Sequence, residues 1–210
     1  MSDQVPEVIV PRQGSTPARR TPFGYLTDTH PRLDRIQNGI SAFCAVIASV
    51  AIVVIVALTA LEVFTRTAFD APLGWNVGLV EQYLMMALAF FGTVTAYRAG
   101  AHVAVVTIFE KTPEPVRKVL LLITYLIMLA GLVLLVYSGT RAMQFSFVTS
   151  EIPPPGMAEL SLPSWWWKSI IPVASGLGFV VVAIDLYREL TTPFSRVATD
   201  YEPGIHAEEI

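Results

Sequence analysis

Four apolar runs, each long enough to cross a bilayer as a helix, constrain this chain more than any other feature of it. They are Ile40 to Leu61, Val77 to Tyr97, Val119 to Tyr137 (continuing past Arg141 to Val148), and Trp165 to Leu186. A hydrocarbon core about 30 Å thick takes about 20 helical residues at about 1.5 Å each, and all four runs reach that length. Apolar residues occur all round each run rather than on one stripe, which excludes an amphipathic surface helix, and the runs are too long for strands. Composition agrees. Only 15% of the 210 residues are charged, too few to cover a water-exposed globule. The fold class is therefore an all-α integral membrane protein with four transmembrane helices.

Breaker residues set the boundaries. Pro72 and Gly74 separate runs one and two, "KTPEP" (111–115) precedes run three, and "EIPPPGMAELSLPS" (151–164) separates runs three and four. The expected organisation is a polar, partly disordered tail over 1–38, a membrane domain over 39–188, and a second tail over 189–210. Within the domain the helices are expected at about 40–66, 77–98, 117–147 and 165–187. The first 30 residues, rich in Pro, Ser, Thr and Arg, carry too few large apolar groups to order. No short apolar core follows a basic start, so the first run is expected to act as an uncleaved anchor. The third span, Val119 to Phe147, is expected to run about 43 Å as one helix and so to tilt or project from the core.

Charge sets an expected orientation. Arg12, Arg19, Arg20, Arg32 and Arg35 lie in the first tail, Arg98, Lys111, Arg117 and Lys118 around the second connection, and Arg188 and Arg196 at the C-terminal end. The 67–77 and 148–164 connections hold no Lys or Arg. Short loops rich in Lys and Arg stay cytoplasmic, so both termini and the 98–118 connection are expected inside. Trp75 and Trp165 to Trp167 then fall at the outer interface, where amphipathic rings settle. "HVAVVTIFEK" (102–111) reads as an amphipathic connection along the inner interface. The net charge of −3 gives no reason to expect a nucleic-acid partner.

The polar exceptions in the runs are Glu62, Arg66, Glu81, Arg141, Gln144 and Lys168, all towards the expected outer side. Glu62 and Arg66 have the favourable i,i+4 order for an ion pair. Glu81 lies inside the second span, where a charge must face protein or water and be paired. We expect Arg66 to pair with it, with Arg141 as the competing partner. A substrate path would need polar groups at several depths, and the middle of every span is apolar. Arg98 is expected to snorkel to the headgroups at the inner end of span two, beside His102. Ala45 and Ser49, Gly92 and Ala96, and Ala174 and Gly178 have the small-xxx-small spacing of close helix contacts.

No catalytic motif, metal motif or cofactor fingerprint appears, so no enzyme activity, metal or cofactor is expected. His30 and His206 lie in the tails and His102 at a boundary, which leaves no pair of intramembrane His for haem. Cys44 is the only cysteine and reads as a small buried hydrophobe.

The order of features resembles the small integral-membrane subunit, the Q-type subunit, of TRAP transporters (tripartite ATP-independent periplasmic transporters). The residues that carry the resemblance are "EVFTRTAF" (62–69), "GWNVGLVEQYLMMALAFFGTVTAYRAGAHVAV" (74–105), "PEPVRKVL" (113–120) and "LSLPSWWWKSIIPVASGLGFVV" (160–182). Within them Trp75, Glu81, Gly92, Arg98 and His102 follow the family pattern, and the ordered set covers roughly 35–190. The family often places an acid four positions after the His, where this chain has Val106. The resemblance implies a non-catalytic scaffold in the bacterial inner membrane. Its implied partners are a large multi-span subunit and a periplasmic substrate-binding protein, in ion-driven uptake of an organic acid. Two other classes compete. A redox-complex anchor predicts haem absorbance or quinone binding, and a stand-alone channel or carrier predicts transport by this chain alone. The candidate structural and partner-interface residues are Glu62, Arg66, Trp75, Glu81, Gly92, Arg98, His102, Arg141 and Lys168.

Overall fold

The computed structural model describes residues 18–27, 30–100, 113–152, 162–193 and 197–199. Four helices in it are long and apolar enough to cross a membrane. We number them α1 (Pro31–Phe69), α2 (Asn76–Arg98), α3 (Glu114–Val148) and α4 (Trp165–Thr191). His102 and the amphipathic stretch after it lie outside the described residues.

Two elements differ from the sequence reading. First, residues within the expected disordered tail form a hairpin, β1 (Ala18–Thr21) and β2 (Gly24–Thr27), paired antiparallel with Arg19 opposite Leu26. Second, α1 begins at Pro31, nine residues before the first apolar run. Pro is well suited to a first helical turn because its missing N–H needs no partner there. With 39 residues α1 is roughly 58 Å long, and α3 with 35 is roughly 52 Å. Both far exceed a bilayer core. The long third helix expected from sequence is present, with no break near Tyr137.

Helix ends follow local chemistry. α1 stops at Asp70 in the left-handed region, followed by Pro72. α2 stops at Gly100, whose φ of +70° suits glycine, and the Gly100 N–H donates back to the Tyr97 carbonyl. Within α2, Leu79–Leu84 form a π turn. α4 carries a one-residue turn at Ser169 and ends before Pro193.

α4 is the central helix. α3 packs chiefly on α4, α2 packs on both α1 and α4, and α1 touches α4 more lightly. Cys44, Phe91, Val94, Ala174 and Val181 form the buried core, with Ile47, Phe90 and Leu177 packed around it. Small residues set two approaches. A Cβ on Gly139 would stand 2.8 Å from Pro172 Cδ, so α3 and α4 nearly touch there. Gly92 faces Ala48 of α1, and Gly178 faces Val94 and Leu132. Gly92 therefore lies at the chain's own α1–α2 contact.

Candidate functional site: a buried ion cluster at the end that carries both termini

The helix ends that carry the two termini meet the end of α2 and the start of α3. Charged side chains there turn inward, which segregates them from the apolar spans below. Asp34 lies in the first turn of α1 and is fully buried. Its Oδ1 accepts from Arg98 Nη2 of α2 at 2.8 Å and forms an ion pair with Arg188 Nη2 of α4, also at 2.8 Å. Its Oδ2 accepts from the backbone N–H and the hydroxyl of Thr27 at 2.7 and 2.6 Å, which docks the hairpin onto α1. Arg98 also donates to the Tyr25 carbonyl at 2.8 Å and, through Nε, to Asn38 Oδ1 at 3.1 Å.

A second acid continues the cluster. Asp185 of α4 accepts from Gln37 Nε2 at 2.8 Å and from the Tyr97 hydroxyl at 2.9 Å. The same Gln37 amide donates to the Val181 carbonyl at 2.9 Å, pinning α1 to α4. A third acid, Glu189, accepts from Ala198 N–H and from the Thr199 hydroxyl, both at 3.1 Å, and stands 3.9 Å from Lys118 Nζ of α3. Lys118 also donates to the Thr192 and Pro193 carbonyls, and Tyr125 donates to Thr199 at 2.7 Å. The segment after α4 is thereby folded back onto α3.

Three acids (Asp34, Asp185, Glu189) face three cations (Arg98, Arg188, Lys118), each of these six at most 3% exposed, and a further cation, Arg117, is buried beside Lys118. Charges taken out of water need partners in good geometry, and breaking one such pair strands the other charge. Among its described residues the cluster contains no nucleophile beside a base. Its geometry suits it to clamping four helices, the hairpin and the C-terminal segment together. Among the described residues no group of three or more His, Cys, Asp or Glu is placed to hold a metal ion.

The expected site residues have different fates. Arg98 does not snorkel. It is 2% exposed and belongs to the cluster, because a buried carboxylate lies within its reach. The Glu62–Arg66 and Arg66–Glu81 pairs do not form among the described residues. Glu62 instead accepts the Leu73 N–H at 2.9 Å, tying the 70–75 connection to α1, while Arg66 and Glu81 are both exposed. The reason is directional. Arg66 and Glu81 point off the outside of the bundle rather than across the α1–α2 contact. Arg141 lies over the Tyr137 ring, 5.6 Å from its centroid, and so does not compete for Glu81. Lys168 pairs with Glu151 and covers the Trp167 ring at 5.4 Å. Trp75 is half-buried just before α2, and its N–H donates to the Leu73 carbonyl at 2.8 Å.

Sequence reasoning missed Asp34, Gln37, Asn38, Asp185, Arg188 and Glu189, which it left in the flanks of the apolar runs. A signal was available. Asp34, Gln37 and Asn38, and again Asp185, Arg188 and Glu189, are spaced i, i+3, i+4, which puts each set on one helix face.

Spans of this length, tied at one end by a buried ion cluster, define a multi-pass membrane protein whose buried charged side chains, among the described residues, lie at that end. The sequence matches the family described as tripartite ATP-independent periplasmic transporters, DctQ component, over residues 55–192. This is more than half of the chain, and the chain belongs to that family. The family is a non-catalytic component of a tripartite transporter, so this protein is not an enzyme. No curated protein matches the chain. The matched region begins after Tyr25, Thr27, Asp34, Gln37 and Asn38, so it contains only one side of the ion cluster.

Proposed function

We propose that the chain is the scaffold of a binding-protein-dependent uptake system. It would support a large multi-span subunit whose transport of an organic acid is driven by an ion gradient, with both termini on the cytoplasmic side of the bacterial inner membrane. The observation that carries this reading is where the polar groups lie. The ion cluster sits at the end of the bundle, and the core below it is Cys44, Phe91, Val94, Ala174 and Val181. A substrate or ion path needs polar or water-accessible groups through the midplane, and this core offers an apolar one. The Lys and Arg bias of the tails and the second connection supports the orientation.

Uptake into proteoliposomes tests the role. Transport should require this chain, the large subunit and the binding protein together, and transport by this chain alone would refute it. Orientation is tested by single Cys substitutions in a Cys44→Ala background. A thiol within 152–160 should react with an impermeant reagent added outside, and one within 111–115 should not; the reverse pattern would overturn the topology.

A further inference from the structure

The exposed positions of α2 form one row. Val77, Glu81, Met85, Ala89 and Thr93 are exposed, and the residues between them are half-buried or buried. In a regular α-helix every fourth residue drifts by roughly 40° per step. The wider π turn at Leu79–Leu84, with its i to i+5 bonds, takes up part of that drift and keeps the row narrow. Glu81 is the fifth residue after Asn76, roughly 7.5 Å into the helix. It makes no ion pair or hydrogen bond with any described residue, and an unpaired carboxylate at that depth is unfavourable in lipid.

The row leads into a groove. Ala89 and Thr93 of α2 form one wall, Leu132 and Leu135 of α3 the other, and Ala174 and Ser175 of α4 the floor, enclosing about 230 Å³. Its lining is almost wholly apolar, with one exception. Ser175 is 2% exposed and its Oγ has no hydrogen-bond partner among the described residues. That oxygen has almost no accessible surface, so it lies beneath the groove and leaves the walls and floor apolar.

We propose that this row and groove seat a transmembrane helix of the large subunit, one that carries a Lys or Arg at the level of Glu81 and an apolar face against the groove. The inference rests on the scaffold reading above and names the surface it uses. Ala89 and Thr93 are small enough for close helix approach. A cation on the incoming helix supplies the counter-charge that Arg66 and Arg141 do not. An acyl chain would fill the apolar walls but offers nothing to the Glu81 carboxylate, so the row favours a helix that carries a cation over lipid.

The test uses the intact transporter in membranes. A photoreactive amino acid is placed at Met85 or Thr93, with Leu134 as the control. Leu134 follows Leu132 by two residues and so lies on another side of α3. Met85 and Thr93 should cross-link to the large subunit and Leu134 should not. Ala89→Trp, which fills the groove, should lower the amount of large subunit co-purified by roughly ten-fold, while Cys44 stays protected from thiol reagents. Glu81→Lys should lower it as well, and Glu81→Gln less so. Cross-links from Met85 and Thr93 to phospholipid, or from Leu134 alone to the large subunit, overturn the surface and leave the scaffold reading standing. A wild-type chain that never co-purifies with the large subunit overturns both.

Discussion

Replacing Asp34 by Asn removes the anion that both Arg98 and Arg188 face at 2.8 Å. The shape of the side chain is preserved, so the change alters charge and hydrogen bonding but not packing volume. The new amide NH2 must also face a donor group, because Asp34 accepts hydrogen bonds from Arg98 and from the N–H and hydroxyl of Thr27 and is ion-paired with the Arg188 guanidinium. Breaking a buried pair costs about 3–5 kcal/mol, and here two guanidiniums lose their shared partner. Asp185 remains in the same cluster and offsets part of the excess positive charge, which favours the lower figure, about 3 kcal/mol.

The chain carries its own reporter, since Cys44 is its only cysteine and is fully buried ten residues further along α1. If thiol labelling proceeds through transient opening, about 3 kcal/mol raises the labelling rate by about two decades, at about 1.4 kcal/mol per decade. The measurement is the labelling rate of purified protein in lipid nanodiscs against temperature. Adding Arg188→Met should recover part of the loss, because one cation fewer is left unpaired. An Asp34→Asn protein that labels within about three-fold of wild type would show that the cluster does not hold the bundle together.

Three further outcomes follow from local geometry. Gly139→Ala should destabilise by about 1–3 kcal/mol in the same labelling assay, because its Cβ would meet the Pro172 ring at 2.8 Å and the Pro172 backbone N at 3.2 Å; Gly131→Ala, with open space around it, should be close to neutral. Gly100→Ala should destabilise the end of α2, since it combines a φ of +70° with a Cβ 2.9 Å from the Tyr25 hydroxyl, and thiol labelling again reads the effect. The hydrogen bond from Lys168 holds the Glu151 carboxyl below its ordinary value of 4.5. A depressed carboxylate contributes stability at pH above 4.5 and loses it as pH falls through the folded value. The tryptophan fluorescence from Trp167, which Lys168 covers, should therefore change below about pH 4.5 in wild type and not in Glu151→Gln.

The number of spans was legible in the sequence because lipid imposes it: a backbone in hydrocarbon must satisfy its own hydrogen bonds, so an apolar run of sufficient length has one solution. The family was legible too, since it is carried by ordered residues along the chain. Partner choice was not. Arg98 and Asp34 are 64 positions apart, and nothing local to either says that the two meet. Arg98 looked like a residue that would reach for headgroups, and Glu81 like one that would find Arg66. The tertiary structure reversed both, since the rotation of each helix about its own axis decides which charges face inward, and the packing of small residues such as Gly92 and Gly139 sets that rotation. Length and hydropathy are properties of one segment; pairing is a property of several segments in contact, fixed only when they pack.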